Sequence, residues 1–292
     1  MHPKHNVNSA FTLIELIGVI IIISILTAMT IGATHMIDTS RITNARSATI
    51  DGPVSKVNGL VAWYETSLLD SFSSDEQYNN ASITKWHDIS QSSRNKLRNT
   101  LVRSATQAVT YIKKGINNIP SLKFSGQSGG NIKIPALYQG NLSTATIFFV
   151  ISVNQHNTPT FFDSYSSSTL LSYDPDQLYM RLSSSGVWTQ NSSNLPEIKI
   201  NKPVIIAAYF NSSKSKFYVN DALNITGGST INPGSNQISG IVIGSRNDNA
   251  YYYNGLISEI IIYNTQIKKS KRQAIMAYLA NKYSINVKNI HD

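Results

Sequence analysis

The residues whose types and spacing could do chemistry fall in three places. "YDPDQLY" sets Asp174 and Asp176 two apart, beside Tyr173 and Tyr179. Such a pair could supply oxygen ligands to a calcium ion, which takes about 6–8 of them; acids around a proline are also ordinary turn chemistry. "SRNDNAYYYNG" (residues 245–255) gathers Arg246, Asn247, Asp248, Asn249, Tyr251, Tyr252 and Tyr253. Tyrosine rings stack on sugar faces while amides and carboxylates bond hydroxyls, so this run could be a sugar-contact loop. A hairpin crossing with exposed tyrosines is the alternative. The third place is Glu15, a carboxylate at the start of a long apolar run.

Catalysis is poorly served. Glycoside hydrolysis usually needs two carboxyl groups flanking the scissile bond. Acids at alternate positions of one strand would share a face, but no such cluster occurs, and Glu65, Glu76, Glu197 and Glu259 each stand alone. There is no G-x-S-x-G, no P-loop and no paired zinc-ligand spacing. The histidines are dispersed, and there is no cysteine for a disulfide or a thiolate metal site. The sequence does not predict an enzyme.

Stepping outward from Glu15, the run from Leu16 to Ile37 is broken only by Ser24, three threonines and His35, and no Lys, Arg, Asp or Glu occurs before Asp38. That length spans roughly 30 Å of hydrocarbon at about 1.5 Å per residue. A secretory signal peptide has a shorter core and a small-residue cleavage site, which does not follow here. A soluble core helix would show a polar face. A carboxylate in a bilayer costs about 2.5–3.5 kcal/mol at the centre and less near an end, so Glu15 wants a partner or a place at the surface. The helix should continue from about Thr12 to Ile50, where Asp51-Gly52-Pro53 stops it. Its length would then be about 58 Å.

"AFTLIELIGVIIIISILTA" resembles the N-terminal segment of type IV pilins and type II secretion pseudopilins. The resemblance implies a leader, residues 1–10, cut at Ala10–Phe11 by a prepilin peptidase, and N-methylation of the new N-terminal Phe11. It implies that Glu15 pairs with the Phe11 amine of a neighbouring pilin or pseudopilin subunit and sets register in assembly. The family's usual glycine before the cut is Ala10 here, and the mid-helix proline of many pilins is replaced by Gly32. Major pilin, minor pilin and pseudopilin all remain open. Charge flanking the span is nearly balanced, Lys4 before and Arg41 and Arg46 after. The resemblance sets the topology: N-terminus in the cytoplasm, span in the bacterial inner membrane, and the rest outside, including on a cell-surface pilus or pseudopilus.

Leader and helix removed, roughly 230–240 residues remain, enough for a core without disulfides. Charged residues are only 14% and the formal net charge is +9. Lys85, Arg94, Lys96, Arg98, Arg103, Lys113, Lys114 and Lys123 face only Asp88 in their stretch, and Lys268, Lys269, Lys271 and Arg272 form a second cluster. Such patches can attract nucleic acid, anionic lipid or acidic polysaccharide; a solvated surface is the plainer reading.

After Pro53 the pattern turns strand-like. Short branched and aromatic runs alternate with Asn/Ser/Gly turns: 59–64, 83–89, 108–112, 121–126, 131–134, 144–153, 169–173, 177–182, 203–210, 215–221, 238–245 and 254–264. Strands at close spacing without intervening helices predict a mainly β, two-sheet sandwich. "TIFFVISV" reads as a central strand, and Ser270–Tyr283 as a final helix with Ile275, Leu279 and Tyr283 on one stripe.

"GLVAWYETSLL", "GINNIPSLKFSG", "SKFYVNDAL" and the block from Ile241 to Tyr283 are similar to the laminin-G-like, concanavalin A-like jelly-roll superfamily. Gly255 and Glu259 match a recurring glycine and acid there. The roles expected are a turn for Gly255 and hydrogen bonds to loop amides for Glu259. The layout implied is leader 1–10, pilin-like helix and stalk 11–52, and sandwich 53–292. The function implied is a pilin-like subunit displaying a lectin-like domain for carbohydrate or surface-ligand adhesion. The alternatives are a structural assembly subunit, a DNA-uptake pilin using the basic 85–123 region, and a glycosidase held on a membrane stalk.

Overall fold

The computed structural model describes residues 13–90, 99–103, 109–155, 160–165, 169–174, 179–184, 187–188, 198–211, 214–220, 222–223 and 237–287. Helix α1 runs Leu13–Asp51, one residue displaced from the expected bounds at either end. It is long and apolar enough to cross a membrane. Its hydroxyls do not stand against that: Ser24, Thr27 and Thr30 donate to the carbonyls of Ile20, Ile23 and Leu26, each at 2.8 Å. Each is thereby satisfied within the helix.

The chain divides into two compact units, Met1–Thr43 and Asn44–Asp292. The division falls inside α1. The reason is packing: Ala45 and Thr49 are buried in the second unit, and Arg46 Nε donates to the Ser67 carbonyl at 2.8 Å. The last turns of α1 belong to the sandwich.

The strands are β1 (Leu60–Glu65), β2 (Ala81–Ser82), β3 (Lys85–Trp86), β4 (Leu101–Arg103), β5 (Val109–Ile112), β6 (Ser121–Ser125), β7 (Ile132–Ile134), β8 (Ala145–Val153) and β9 (Thr160–Ser164). There follow β10 (Thr169–Asp174), β11 (Tyr179–Ser184), β12 (Val187–Trp188), β13 (Pro203–Phe210), β14 (Lys216–Val219), β15 (Ala222–Leu223), β16 (Ile241–Ile243) and β17 (Asn254–Tyr263), then helix α2 (Lys269–Tyr283). Among the described residues they form two antiparallel sheets. The first has the order β15-β14-β13-β8-β17-β6-β5-β2 with β1 also on β17; the second has β12-β11-β10-β9-β16-β7-β4-β3. This is the expected jelly-roll-like sandwich. Strands β2, β4, β9, β12 and β15 are additions that the sequence pattern did not give.

The inner faces of the two sheets make one core. Phe149, Ile151, Ile206, Ile260 and Ile262 of the first sheet meet Ile132, Phe161, Phe162, Ile241 and Ile243 of the second. The rings of Phe149 and Phe161 pack edge to face at 5.2 Å. A second core lies on the outer face of the first sheet, where Trp63, Phe148, Val150, Ile261 and Tyr263 are covered by α2 and by Ala45 of α1. β8 therefore buries both faces, as its continuous apolar run requires. No helix among the described residues covers the outer face of the second sheet.

Candidate functional site

Two polar constellations stand out, one sealed and one at the surface. The sealed one forms where β1 and β17 pair. Their register sets Glu65 directly opposite Glu259. A register shift at Ser258 lies just before Glu259; such a bulge re-aims the residues that follow it. From α2, Lys282 Nζ reaches Glu65 Oε2 and Glu259 Oε2, each at 2.8 Å, and all three side chains are fully buried. Its third partner is Thr49 Oγ1 of α1 at 2.7 Å. Glu259 also accepts from Trp63 Nε1 at 2.8 Å, Tyr278 Oη at 2.8 Å and Tyr283 Oη at 2.9 Å.

Glu65 accepts from the Ser67 amide at 2.9 Å, the Ser67 hydroxyl at 2.6 Å, and the Leu68 amide. Burial alone would raise the Glu65 pKa; the Lys282 charge, with hydrogen bonds from Lys282, Ser67 and Leu68, outweighs it and holds the pKa low. Burial pulls the Lys282 pKa down, but Glu259 and Glu65 lift it well above its ordinary value.

This corrects two expectations. The loop-amide role assigned to Glu259 is performed by Glu65, because Glu65 ends a strand and Glu259 sits in mid-strand under α2. Gly255 does not make a turn. It lies within β17, where a Cβ would come within 2.3 Å of the Ser152 carbonyl and 2.5 Å of Tyr253 Oη; it is glycine because two chains approach closely.

The surface constellation is the segment Gly244–Tyr253 and the strand beneath it. Across the outer face of the second sheet the register aligns Val102, Lys133, Val242 and Asp163. Asp163 is only 1% exposed. Its Oδ2 accepts from the Asn247 amide at 3.0 Å, and Oδ1 has no hydrogen-bond partner among the described residues. Burial pushes its pKa up to about 7, against the opposing pull of the Asn247 and Ser164 amides and of Arg246. Asn247 Nδ2 donates to the Tyr165 carbonyl at 2.5 Å, closing the loop over the strand. Asn131 Nδ2 donates to Ser245 Oγ at 2.8 Å and Asn249 Oδ1 at 3.1 Å, fixing its base.

On top, Arg246 bridges to Asp248 at 3.1 Å and lies 5.1 Å from the centre of the Tyr251 ring. Tyr251 is 50% exposed and takes a left-handed backbone at φ 53°, as does Asn249 at φ 57°. A bulky residue there costs on the order of 1–3 kcal/mol, and such strain clusters at ligand-contact segments.

The expected contact residues thus separate. Arg246, Asn247, Asp248, Asn249, Tyr251 and Tyr252 keep surface on the loop. Tyr253 does not: it is fully buried, packs on Phe124 and Phe161, and donates to the Ser152 carbonyl at 2.9 Å. It is a core residue and leaves the contact set. The proposed calcium pair is not brought into view. Asp176 lies outside the described residues, and of Asp174 only the backbone is described, paired with Tyr179 at the end of β10.

No group of three potential metal-ligating side chains occurs among the described residues. Ala10 and Phe11 lie outside the described residues, and Glu15 stands in the first turn of α1. In the basic 85–123 region, Lys85, Lys113, Lys114 and Lys123 are exposed, while Arg94, Lys96 and Arg98 lie outside the described residues. Asp163 is the site residue that sequence reading missed. "TPTFFDS" carried the signal, an aromatic pair closed by an acid between turn residues.

Comparison with known proteins agrees with this architecture. A laminin G-type model, described as the concanavalin A-like lectin/glucanases superfamily, matches residues 125–271. A prokaryotic N-terminal methylation motif matches residues 5–31. No curated protein matches the chain. Among solved structures, Trypanosoma rangeli sialidase in complex with sialic acid is similar at 14% identity and TM-score 0.52, over 79% of this chain and 34% of the other. Domain 4 of AbnA, a GH43 extracellular arabinanase from Geobacillus stearothermophilus, in complex with arabinotriose, is similar at 17% identity and TM-score 0.50, over 75% and 98%. The chain spans about a third of the length of the sialidases it matches. At these identities the likeness is one of fold.

Proposed function

We propose that this chain, which belongs to the concanavalin A-like lectin/glucanases superfamily and carries a prokaryotic N-terminal methylation motif, is a pilin-like subunit that displays a glycan-binding face. A prepilin peptidase cuts it at Ala10–Phe11, and Phe11 is methylated. Helix α1 anchors it in the bacterial cytoplasmic membrane with the sandwich outside the cytoplasm. Glu15 pairs with the N-terminal amine of a neighbouring pilin or pseudopilin subunit during assembly.

The observation that carries the glycan reading is Tyr251, half-exposed and held in a strained left-handed conformation beside Arg246. It stands on the loop over the sheet face that no described helix covers. An aromatic ring flanked by a guanidinium and amides offers a sugar both stacking and hydrogen bonds. The ligands of the two structural neighbours, arabinotriose and sialic acid, support sugars as the ligand class.

A binding role is favoured over catalysis. Among the described residues, the carboxylates that the fold brings together, Glu65 and Glu259, are sealed from solvent and bridged by Lys282, so neither carboxylate can reach a glycosidic bond. The test is a glycan-array screen of the full chain in nonionic micelles, with calcium and with EDTA. Selective binding supports the reading, and its loss in EDTA adds a cation to the site. Absence of binding in both buffers overturns it and leaves a purely structural assembly subunit.

A further inference from the structure

A second surface feature lies apart from the glycan face. A cleft of about 420 Å³ opens between the turn that follows α1 and the link from β17 into α2. Lys56 enters from the first segment, and Lys268 and Lys271 from the second. The segments are tied by the Asn264 amide donating to the Gly59 carbonyl at 2.8 Å. Val57 and Ile267, both buried, form an apolar floor. The other lining residues are Asn58, Thr265 and Gln266, so no carboxylate faces the three lysines.

The charges are poorly matched within the chain. Lys56 Nζ donates to the Asp51 carbonyl at 2.8 Å, a neutral partner. Lys268 and Lys271 have no ion pair among the described residues. The first turn of α2 contains no acid. Three lysines lining one hollow give it a positive potential that an anion entering would offset. The lining has no aromatic ring on which a neutral sugar could stack, whereas lysines bind phosphate well as point charges. The volume is within the range of small-molecule sites.

We propose that this cleft binds a phosphate group, held by Lys56, Lys268 and Lys271 over the floor of Val57 and Ile267. The phosphate can come from a free phosphate ester or from a phospholipid headgroup. Two arms separate the sources, both on the full chain in nonionic micelles. Calorimetry with inorganic phosphate and glycerol 3-phosphate reads the first. Native mass spectrometry after exchange with phosphatidylglycerol, against phosphatidylcholine, reads the second.

Saturable binding in the first arm assigns a free phosphate ester. Selective retention of phosphatidylglycerol alone assigns the headgroup. In either case the triple variant Lys56→Gln/Lys268→Gln/Lys271→Gln should bind about tenfold more weakly, as expected from three exposed charges. The double variant Lys268→Gln/Lys271→Gln keeps the Lys56–Asp51 contact and should also lose affinity. Binding in neither arm, or binding that both variants leave unchanged, overturns the proposal.

Discussion

Glu65 and Glu259 face each other across β1 and β17 and share one cation, Lys282, at 2.8 Å from each. Like charges directly opposite in a sheet ordinarily destabilise it. Here the ammonium has three protons and three oxygen partners within 2.8 Å, the third being Thr49 of α1, with Tyr278 Oη a longer fourth at 3.3 Å. One lysine on α2 therefore holds together the two strands of the first sheet and the end of the long helix.

Removing that lysine should be costly. Lys282→Met leaves two carboxylates buried without their cation, and breaking such a pair costs about 3–5 kcal/mol. Thermal unfolding should show the loss. Adding Glu259→Gln to Lys282→Met should recover part of it, because one uncompensated charge disappears; additive losses in the double variant would contradict the shared-cation account.

The last turns of α1 should stabilise the sandwich even when the membrane span is gone. A soluble piece beginning at Asn44 retains Ala45, Arg46 and Thr49, whereas one beginning at Pro53 leaves Lys282 a partner short. The shorter piece should be less stable by about 1–3 kcal/mol, the cost of a buried donor left unmet. Equal denaturation midpoints would show that the helix end only rests on the domain.

Asp163 gives a pH signature. Its pKa is raised from 3.8 to about 7 in the fold, so the native state holds its proton more tightly than the unfolded chain does. Its contribution is fully favourable below about pH 4 and is lost as pH rises through about 7, by at most roughly 4 kcal/mol. Asp163→Asn should remove that slope, making the variant gain on the wild type between pH 4 and 8. Parallel stability curves for the two proteins would sink this assignment.

Glu15→Ala should leave membrane insertion intact, since it removes a carboxylate from an apolar helix. It should impair incorporation into filaments, measured by the ratio of sheared surface protein to total. Normal incorporation would remove Glu15 from the assembly role.

Periodic features were legible in the sequence. The apolar run of α1, the continuous β8 and the stripe of α2 each follow from one local pattern, and so did the sandwich they build. The ionic cluster was not, because Glu65 and Glu259 meet only through a register set across the whole domain. Lys282, in "LANKY", reads as a solvated residue until α2 is laid on the sheet. Tyr253 was misread for a different reason. Tyr251 takes a left-handed backbone, which breaks period-two alternation, so Tyr251 is exposed while Tyr253 turns into the core. β9 escaped because its run is short and preceded by a proline.

The most direct test of the account compares wild type with Arg246→Ala/Tyr251→Ala, as full chains in nonionic micelles, on the same glycan array. Both residues keep surface exposure, so the variant should fold normally by circular dichroism. The account predicts selective glycan binding by wild type and its loss in the variant, by tenfold or more given about 1–3 kcal/mol for a stacking ring and its cation. Selective binding that persists unchanged in the variant, or no binding by wild type, would contradict it.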